Sequence, residues 1–479
     1  MGQQIKNQAI TRQETNFAQW YTDVVQKAEL MDYSSVKGFI DYLPYGYAIW
    51  ENIQGALDPM FKAHDVENVY LPLVIPSSLF NKEKEHVEGF APECLVATIG
   101  GGKKLEDPLV IRPTSEVLFS DLYKRLVSSY RDLPKIFNQW CSVVRWEKTT
   151  RPFLRGSEFL WQEGHCLFET EEEAEKNAKD FLEIYDTLGR DYLAIPFIKG
   201  KKTEHEKFAG AVNTYTVEAL MPDGKALQAG TTHYLGQGFA EGYGISYQGR
   251  NNALEYPHQT SWGVSTRLIG ALIMVHGDDN GLILPPKVAP LQAVIIPIRS
   301  ENPQVQEACS KILASLKEKG VRAKTDRQDN KTPGFKYAYY EMRGVPLRIE
   351  VGPRDLEKGK VVIALRVDNE KHEVDLNDVP NKVVELLDFT HHAMYDKAKA
   401  YLEHHISEAH SVEELKNILD TKGGFVKMAF CGKEECELKI KELTNGGTAR
   451  CIIEENVEGE VCPICGEKAT IRCYFAKAY

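Results

Sequence analysis

Residues 145–165, RWEKTTRPFLRGSEFLWQEGH, bring three arginines, three glutamates and two tryptophans into twenty-one positions. On either side the chain alternates, in NQWCSVVRWEK and EFLWQEGHCLFE, while TTRPFLRGS between them carries proline and glycine. The pattern predicts two antiparallel strands joined by a long, mobile loop. Residues two apart share a strand face, so Arg145 and Glu147 are expected together, with Phe159, Trp161, Glu163 and His165 on the return arm. Such a face offers a guanidinium, carboxylates, flat rings and an imidazole. The bland alternative is a solvated face of ion pairs, each contributing about 0–1 kcal/mol. That face would use lysine as readily as arginine, and few aromatic rings. Arginine's planar fork instead matches phosphate oxygens in pairs, and the rings provide a stacking surface. The ligand implied has phosphates, a flat base and a cationic group, as a nucleotide together with an amino acid would.

Other stretches add to this surface. IRPTSEVLFSDLYKRL (111–126) sets Thr114 and Glu116 just before a helix, where they could serve a ligand or simply cap the helix. ALQAGTTHYLGQGFAEGYGI (226–245) is small, polar and glycine-rich, so its backbone can approach a ligand closely. In HQTSWGVSTRLIGALIMVHGDDNGLILPP (258–286) one arginine, Arg267, opens an apolar helix, which favours phosphate; the alternative is a helix-surface charge. No G-x-x-x-x-G-K-[ST] and no strand-linked G-x-G-x-x-G occurs, which argues against P-loop and Rossmann nucleotide binding.

Six of the ten cysteines fall in the last forty-nine residues. CGKEEC (431–436) and CPICG (462–466) pair C-x4-C with C-x2-C, and Gly432, Pro463 and Gly466 supply turn chemistry. Cys431, Cys436, Cys462 and Cys465 are therefore a candidate tetrahedral zinc set; with every position filled by protein, the zinc would be structural. Cys451 and Cys473 are spaced less suitably and read as buried thiols.

The elements that must position these groups fall into three regions of the 479-residue chain. Residues 1–285 mix helical and strand-like patterns and are rich in Trp, Tyr and His; GLILPPKVAP (281–290) reads as a linker. Residues 286–400 alternate strand (QAVIIPI), helix (QVQEACSKILASLKEKG) and strands (VRAKTDR, LRIEVGP, KVVIALRV), predicting an α/β domain with a mixed sheet that ends in a helix near 379–400. From about 401 that helix is expected to continue through KAKAYLEHHISEAHSVEELKNILDTKGG into the cysteine-rich region, 401–479. The N-terminal twenty residues lack the apolar core of a secretory signal, and no apolar run approaches the roughly 20 residues of a membrane span. A cytoplasmic protein is expected. The net charge of −11 argues against non-specific nucleic-acid binding, although residues 291–380, with sixteen basic against fourteen acidic residues, are mildly basic.

In this order the pieces resemble the three signature motifs of class II aminoacyl-tRNA synthetases. GYAIWENIQGALDPMFKAHDVENVYLP, ending at Pro72, resembles motif 1; RWEKTTRPFLRGSEFLWQE resembles motif 2; GVSTRLIG resembles motif 3. In detail the whole chain resembles prolyl-tRNA synthetases of the archaeal- and eukaryote-like type, through RPTSE, WEKTTRPFLRGSEFLWQEGH, QAGTTHYLGQGFA, EVGPRDLEKG, the cysteine tail and the terminal tyrosine. The resemblance implies an α+β fold: an antiparallel-sheet catalytic core, an α/β anticodon-binding domain and a small C-terminal zinc-binding α/β domain. It implies a homodimer through motif 1, with L-proline, ATP, Mg²⁺ and tRNA(Pro) as substrates and partners. Matched residue by residue, Thr114 and Glu116 would hold the proline ammonium, and Arg145 the α-phosphate and amino-acid carboxylate. Glu147 and Arg155 would contact the adenine side and the outer phosphates, Phe159 would stack on adenine, and Arg267 would clamp the γ-phosphate. Gln228, Thr231 and His233 would line the ribose and substrate pocket, with Trp161, Glu163, His165 and Phe208 shaping the proline cavity. Glu350, Arg354 and Asp355 would read anticodon bases along their edges, which needs no strongly basic surface. Tyr479 would tuck toward the catalytic domain; the alternative is a frayed terminus.

Motifs 2 and 3 lie only about a hundred residues apart, leaving no room for the large editing insert of bacterial-type members. One methylene is worth about 1–3 kcal/mol of discrimination, so misactivation of cysteine or alanine without hydrolytic correction is expected. Threonyl, glycyl and histidyl enzymes share the C-terminal domain type. Threonine enzymes carry an active-site zinc, however, and here the clustered cysteines are remote from the motifs. A non-catalytic paralogue would lack motif arginines, whereas Arg145, Arg155 and Arg267 are all present.

Overall fold

The computed structural model describes residues 10–81 and 94–479; positions 1–9 of the N-terminal stretch discussed above lie outside the described residues. The alternating segments of the first half form strands Glu67–Asn68 (β1), Lys135–Val144 (β2), Glu158–Phe168 (β3), Ile198–Lys201 (β4), Asn213–Leu220 (β5), Ala226–Gly236 (β6) and His258–Ser265 (β7). β2, β3, β7, β6, β5 and β4 are neighbours in that order, each pairing antiparallel with the next. β1 joins the outer edge of β2 in parallel.

Register decides what each face carries. Gln139 and Cys141 on β2 stand opposite Glu163 and Trp161 on β3, which oppose Gly263 and Ser265 on β7. Gly263 and Ser261 oppose Thr231 and His233 on β6, and these oppose Thr216 and Thr214 on β5. Because side chains alternate along a strand, these residues make one polar rank across five strands. The alternate rank is covered by the helix Glu171–Leu188, which opens with a reciprocal capping box between Thr170 and Glu173. Ala174, Ala178, Phe181, Leu182 and Tyr185 are its buried stripe. Phe181 stacks on Trp262 with ring centroids 3.7 Å apart, and Asn177 accepts hydrogen bonds from Trp262 Nε1 (3.2 Å) and Thr260 Oγ1 (2.8 Å).

The second sheet is mixed, as its strand–helix alternation predicts. It comprises Ala293–Pro297 (β8), Ala323–Thr325 (β9), Leu347–Val351 (β10), Lys360–Leu365 (β11) and Lys371–Asp375 (β12), ordered β9-β8-β10-β11-β12. β8 pairs in parallel with β9 and β10, whereas β10, β11 and β12 pair antiparallel. The segment read as a linker is no solvated tether: Leu282, Ile283, Leu284, Val288 and Ala289 are all buried.

The long helix does not run on into the cysteine region. It spans Val379–His404, crossing the expected boundary at 400/401, and then stops. Ile406–Glu408 (β13) follows, and a new helix, Val412–Thr421, starts where Ser411 Oγ accepts the Glu414 N–H. That local cap is the helix start signal hidden inside a continuous-looking helical pattern. Phe425–Phe430 (β14), Thr448–Glu455 (β15) and Ile471–Ala476 (β16) complete the C-terminal strands. They extend the catalytic sheet, because β15 meets β4 at Ile452 and Lys201. One eleven-stranded sheet results, ordered β13-β14-β16-β15-β4-β5-β6-β7-β3-β2-β1. Among the described residues no helix is long and apolar enough to cross a membrane.

Gly164, on the covered face of β3, has no room for a side chain: a Cβ there would lie 2.2 Å from Trp262 Cζ2. Gly164→Ala should destabilise the fold by about 1–3 kcal/mol, read as a lower thermal unfolding midpoint. An unchanged midpoint would mean that Trp262 moves aside freely.

Candidate active site

The polar rank forms the floor of a cavity of about 300 Å³, continuous through Arg145, Trp161, Gln228, Thr231 and Gly263 with a second of about 120 Å³. Thr114, Glu116, Arg145, Trp161, Glu163 and His165 line the larger space, as do Phe208, Gln228, Thr231 and His233. Phe159 and Arg267 line the smaller one. Glu147 and Arg155 line neither, but both bear electrostatically on Arg267.

At one end the floor is acidic and closed. Glu163 is buried, and its carboxylate accepts hydrogen bonds from Gln139 Nε2 (2.8 Å), the Ser115 N–H (3.2 Å) and His165 Nε2 (2.9 Å). Burial works to raise its pKa, but these donors outweigh it and hold the carboxyl below its ordinary range. His165, stacked on Phe119 at 4.4 Å, is displaced upward: burial opposes its charge, and Glu163 and Glu116 outweigh burial. His233 is the contrary case, driven down to about 3 by burial and by the charge of His165. Its ring is neutral, with Nδ1 2.9 Å from Thr214 Oγ1 and Nε2 3.1 Å from Thr231 Oγ1, and Phe208 leans on it at 4.8 Å. The hydroxyl of Thr114 donates to the Glu116 carboxylate. Helix Glu116–Leu126 has no side-chain cap, so the capping alternative for this pair is not what the structure makes.

At the other end the walls are cationic. β2 ends at Val144, so the shared strand face expected for Arg145 and Glu147 does not exist; both sit on the loop that joins β2 to β3. The ladder runs on by one bond, from the Arg145 N–H to the Ser157 carbonyl (2.8 Å). The Arg145 guanidinium donates through Nε to the Pro113 carbonyl (3.0 Å) and lies over the rings of Phe159 (5.3 Å) and Trp161 (5.7 Å). At the loop's tip Arg151 and Arg155 bond to each other's backbone, which leaves the Arg155 side chain exposed. Arg267 opens the helix Arg267–His276, as expected, and its Nε donates to the Leu154 carbonyl (3.1 Å). Burial, Arg155 and Arg145 together pull its pKa down to about 10. Like charges crowded this way mark a place where an anion is wanted.

Elsewhere, Glu350 is buried on β10 and already committed, accepting from Arg348 Nε (3.1 Å) and Lys371 Nζ (3.1 Å). Arg354 is exposed and Asp355 half-buried on the short helix that follows. Cys431, Cys436, Cys462 and Cys465 converge, their sulfurs all within 4.8 Å of one another. Burial works against ionisation of Cys462, yet backbone N–H groups of Cys465, Cys431 and Ile464 draw its thiol below the ordinary value. Cys451 and Cys473 are buried thiols outside this group. Tyr479 is not frayed: its N–H donates to the Ala226 carbonyl (3.0 Å) and its hydroxyl to Asp223 (2.7 Å). Sequence reading missed Lys202, Glu206, Thr214 and Ser261, which also line the larger cavity.

Comparison with known proteins decides the family. Residues 99–276 match the class II core domain of tRNA synthetases (G, H, P, S and T), residues 292–386 an anticodon binding domain, and residues 412–479 the prolyl-tRNA synthetase C-terminal domain. The chain is 55% identical over 474 residues to a proline–tRNA ligase of Agathobacter rectalis, covering 98% of both chains. It is 53% identical over 471 residues to one of Clostridium botulinum, with the same coverage. The chain belongs to the prolyl-tRNA synthetase family. The crystal structure of the prolyl-tRNA synthetase of Cryptosporidium parvum, complexed with halofuginone and AMPPNP, superposes with a TM-score of 0.94 at 39% identity, covering 98% of this chain and 99% of that one. As a prolyl-tRNA synthetase the chain has the expected architecture: a class II antiparallel core, an anticodon-binding domain and a C-terminal domain with a cysteine cluster.

The Glu163–His165 pair gives a pH signature. The stabilisation from Glu163 is present above about pH 4.5 and fades as pH falls through its lowered pKa; that from His165 is present below about pH 6.5 and fades as pH rises through its raised pKa. Glu163→Gln should therefore lower the thermal midpoint more near pH 6 than near pH 9. Equal losses at both would remove charge from the account.

Proposed function

We propose that the chain attaches L-proline to tRNA(Pro) in two steps, through an enzyme-bound prolyl-adenylate. The observation that carries this reading is the asymmetry of the cavity: hydrogen-bonded carboxylates at one end, and Arg145, Arg155 and Arg267 crowded toward the other. Thr114 and Glu116 would receive the secondary ammonium of proline, with Trp161, Glu163, His165, Phe208 and His233 shaping its pocket. The neutral ring of His233 suits that role, since a second imidazolium would repel the ammonium. ATP, taken as its Mg²⁺ complex, would lie toward the arginines, with adenine against Phe159 and the ribose near Gln228 and Thr231. Glu147 and Arg155 would hold the adenine side and outer phosphates, and Arg267 the γ-phosphate.

Chemistry at such a site is positioning plus electrostatics. The proline carboxylate attacks the α-phosphorus, a C(=O)–O–P bond forms, and pyrophosphate leaves. Arg145, anchored through Nε on the Pro113 carbonyl, would meet the charge that builds on the α-phosphate as the pentavalent phosphorus forms. The ribose hydroxyl of the tRNA 3′ end then attacks the acyl carbon and AMP leaves. Residues 1–285 would carry this chemistry and 286–400 the anticodon reading through Glu350, Arg354 and Asp355, with 401–479 as the C-terminal domain. The enzyme would act in the cytoplasm as a homodimer; exposed Tyr47 and Tyr70 on the motif 1 segment, with Leu73 just after it, would supply apolar surface for that contact.

The test is amino-acid-dependent ATP–pyrophosphate exchange across a panel. Proline should give the strongest exchange, with cysteine and alanine weaker but present, and preformed alanyl-tRNA should not be cleared. Arg145→Ala should abolish exchange while leaving fold and tRNA binding largely intact. No exchange with proline would sink the reading, and rapid clearance of alanyl- or cysteinyl-tRNA would refute the lack of correction.

The cysteine cluster fits zinc. Tetrahedral Zn–S bonds of about 2.3 Å set sulfurs about 3.8 Å apart, and Cys465 Sγ lies 3.8 Å from Cys431 Sγ. We predict about one zinc per chain in freshly purified protein, lost together with thermal stability in Cys462→Ser. Metal-free protein of undiminished stability would remove it.

A further inference from the structure

One buried charge cluster touches the substrate cavity without a part in the reaction as described. Lys202, the residue after β4, is 3% exposed and lines the larger cavity. Its Nζ donates to Glu218 Oε1 at 2.9 Å, and Glu218, on β5, is wholly buried. The same carboxylate accepts from Thr216 Oγ1 (2.9 Å) and from Arg450, through Nε (3.1 Å) and Nη2 (2.9 and 3.1 Å). Arg450 belongs to β15, in the C-terminal domain, and is 7% exposed. Two cations thus flank one anion, all three more than nine-tenths buried, and only Lys202 reaches the cavity.

The arithmetic of that cluster points outward. Lys202 and Glu218 alone would cancel. With Arg450 gripping both carboxylate oxygens, the cluster keeps one net positive charge, and a buried uncompensated charge is costly. Arg450 donates besides to Thr448 Oγ1 (3.0 Å), and the further carboxylate that bears on Lys202, Glu437, is buried with its pKa pushed up to about 7 by burial and by Glu206, so it offsets the surplus only in part. The cavity wall is where Lys202 can meet a counter-charge. Glu116 and Glu206 share that wall and suit an ammonium; a reacting carboxylate or α-phosphate is the anion left for Lys202.

We propose that Lys202 is a further binding residue for the anionic end of the reacting pair, and that Arg450 and Glu218 are its positioning residues. The C-terminal domain thereby supplies a positive charge to the catalytic cavity from β15. The segment carrying Lys202 is built against that domain: Thr203 Oγ1 donates to Glu437 (3.0 Å), and His205 Nδ1 lies 3.1 Å from Glu434, both on the helix Glu434–Leu443. This inference rests on the function proposed above.

The test uses the full chain in proline-dependent ATP–pyrophosphate exchange. Arg450→Gln should lower kcat by about ten- to a hundredfold, less than the 10²–10³ typical of losing a direct donor, with KM for ATP and proline shifted less than about threefold. Arg450→Lys, which keeps the charge, should stay within about threefold of the parent. Lys202→Met leaves a balanced Glu218–Arg450 pair, so it should fold with a near-parental midpoint and show the same kcat loss. The inference is overturned if folded Arg450→Gln keeps parental kcat, if Arg450→Lys is as impaired as Arg450→Gln, or if Lys202→Met keeps parental kcat. Should Arg450→Gln not fold, Lys202→Met decides alone. A parent chain without proline-dependent exchange would defeat the proposed function instead, a result distinct from all of these.

Discussion

The cavity depends on one register. With Gln139 opposite Glu163, Glu163 opposite Gly263, and Gly263 opposite Thr231, the polar residues of five strands fall on one side of the sheet. Because the side-chain period is two, a slip of one residue would carry Glu163 and His165 into the layer occupied by Phe181 and Trp262. Two titratable groups there would be cut off from Gln139 and the Ser115 N–H, the partners of Glu163 outside its own strand. The Phe181–Trp262 stack and the Asn177 bonds hold the register from behind. Packing on one face thus maintains electrostatics on the other.

Given that register, the two ends of the cavity solve opposite problems. At the acidic end Glu163 is satisfied before any ligand arrives, by His165, Gln139 and a backbone N–H. At the arginine end the balance is deliberately incomplete. Arg267 is depressed to about 10 by burial, Arg155 and Arg145, and its guanidinium donates to the Leu154 and Gln228 carbonyls. Neutral carbonyls orient a guanidinium without cancelling its charge. A satisfied acidic end can select by shape and hydrogen bonding, whereas an unbalanced cationic end suits an anion.

Local pattern made much of this legible. Alternation in NQWCSVVRWEK and EFLWQEGHCLFE located β2 and β3, the C-x4-C and C-x2-C turns located the sulfur cluster, and Arg267 marked the start of its helix. Where the reading failed, the deciding interaction was distant or subtle. The helix end at His404 depends on the turn to β13 and the Ser411 cap, both buried in a stretch with good helix formers throughout. Arg145 leaves the strand because Val144 pairs with Glu158 and the chain then turns across Arg112, whose carbonyl takes the Val144 N–H. Lys202, Glu218 and Arg450 carried no motif at all: Glu218 and Arg450 meet across 232 positions of sequence. No periodicity encodes a contact of that range.

The seam between catalytic core and anticodon-binding domain follows the same rule as the cavity. Arg366 on the second domain is 4% exposed, and its guanidinium grips Asp278 through two bonds of 2.9 and 2.6 Å while Nε donates to the Glu341 carbonyl. The Leu282 N–H donates to the Met342 carbonyl (3.0 Å), and Gly281, at φ 122°, passes so close to Met342 that a Cβ would sit 2.6 Å from its Cα. Only glycine suits both that dihedral and that approach. Apolar residues 282–284 fill the space beneath. Such a seam costs far more to open than a solvated proline tether, since opening it would strand a buried guanidinium and backbone groups together. The two sheets are therefore joined by buried polar contacts and packed apolar side chains rather than by a free tether.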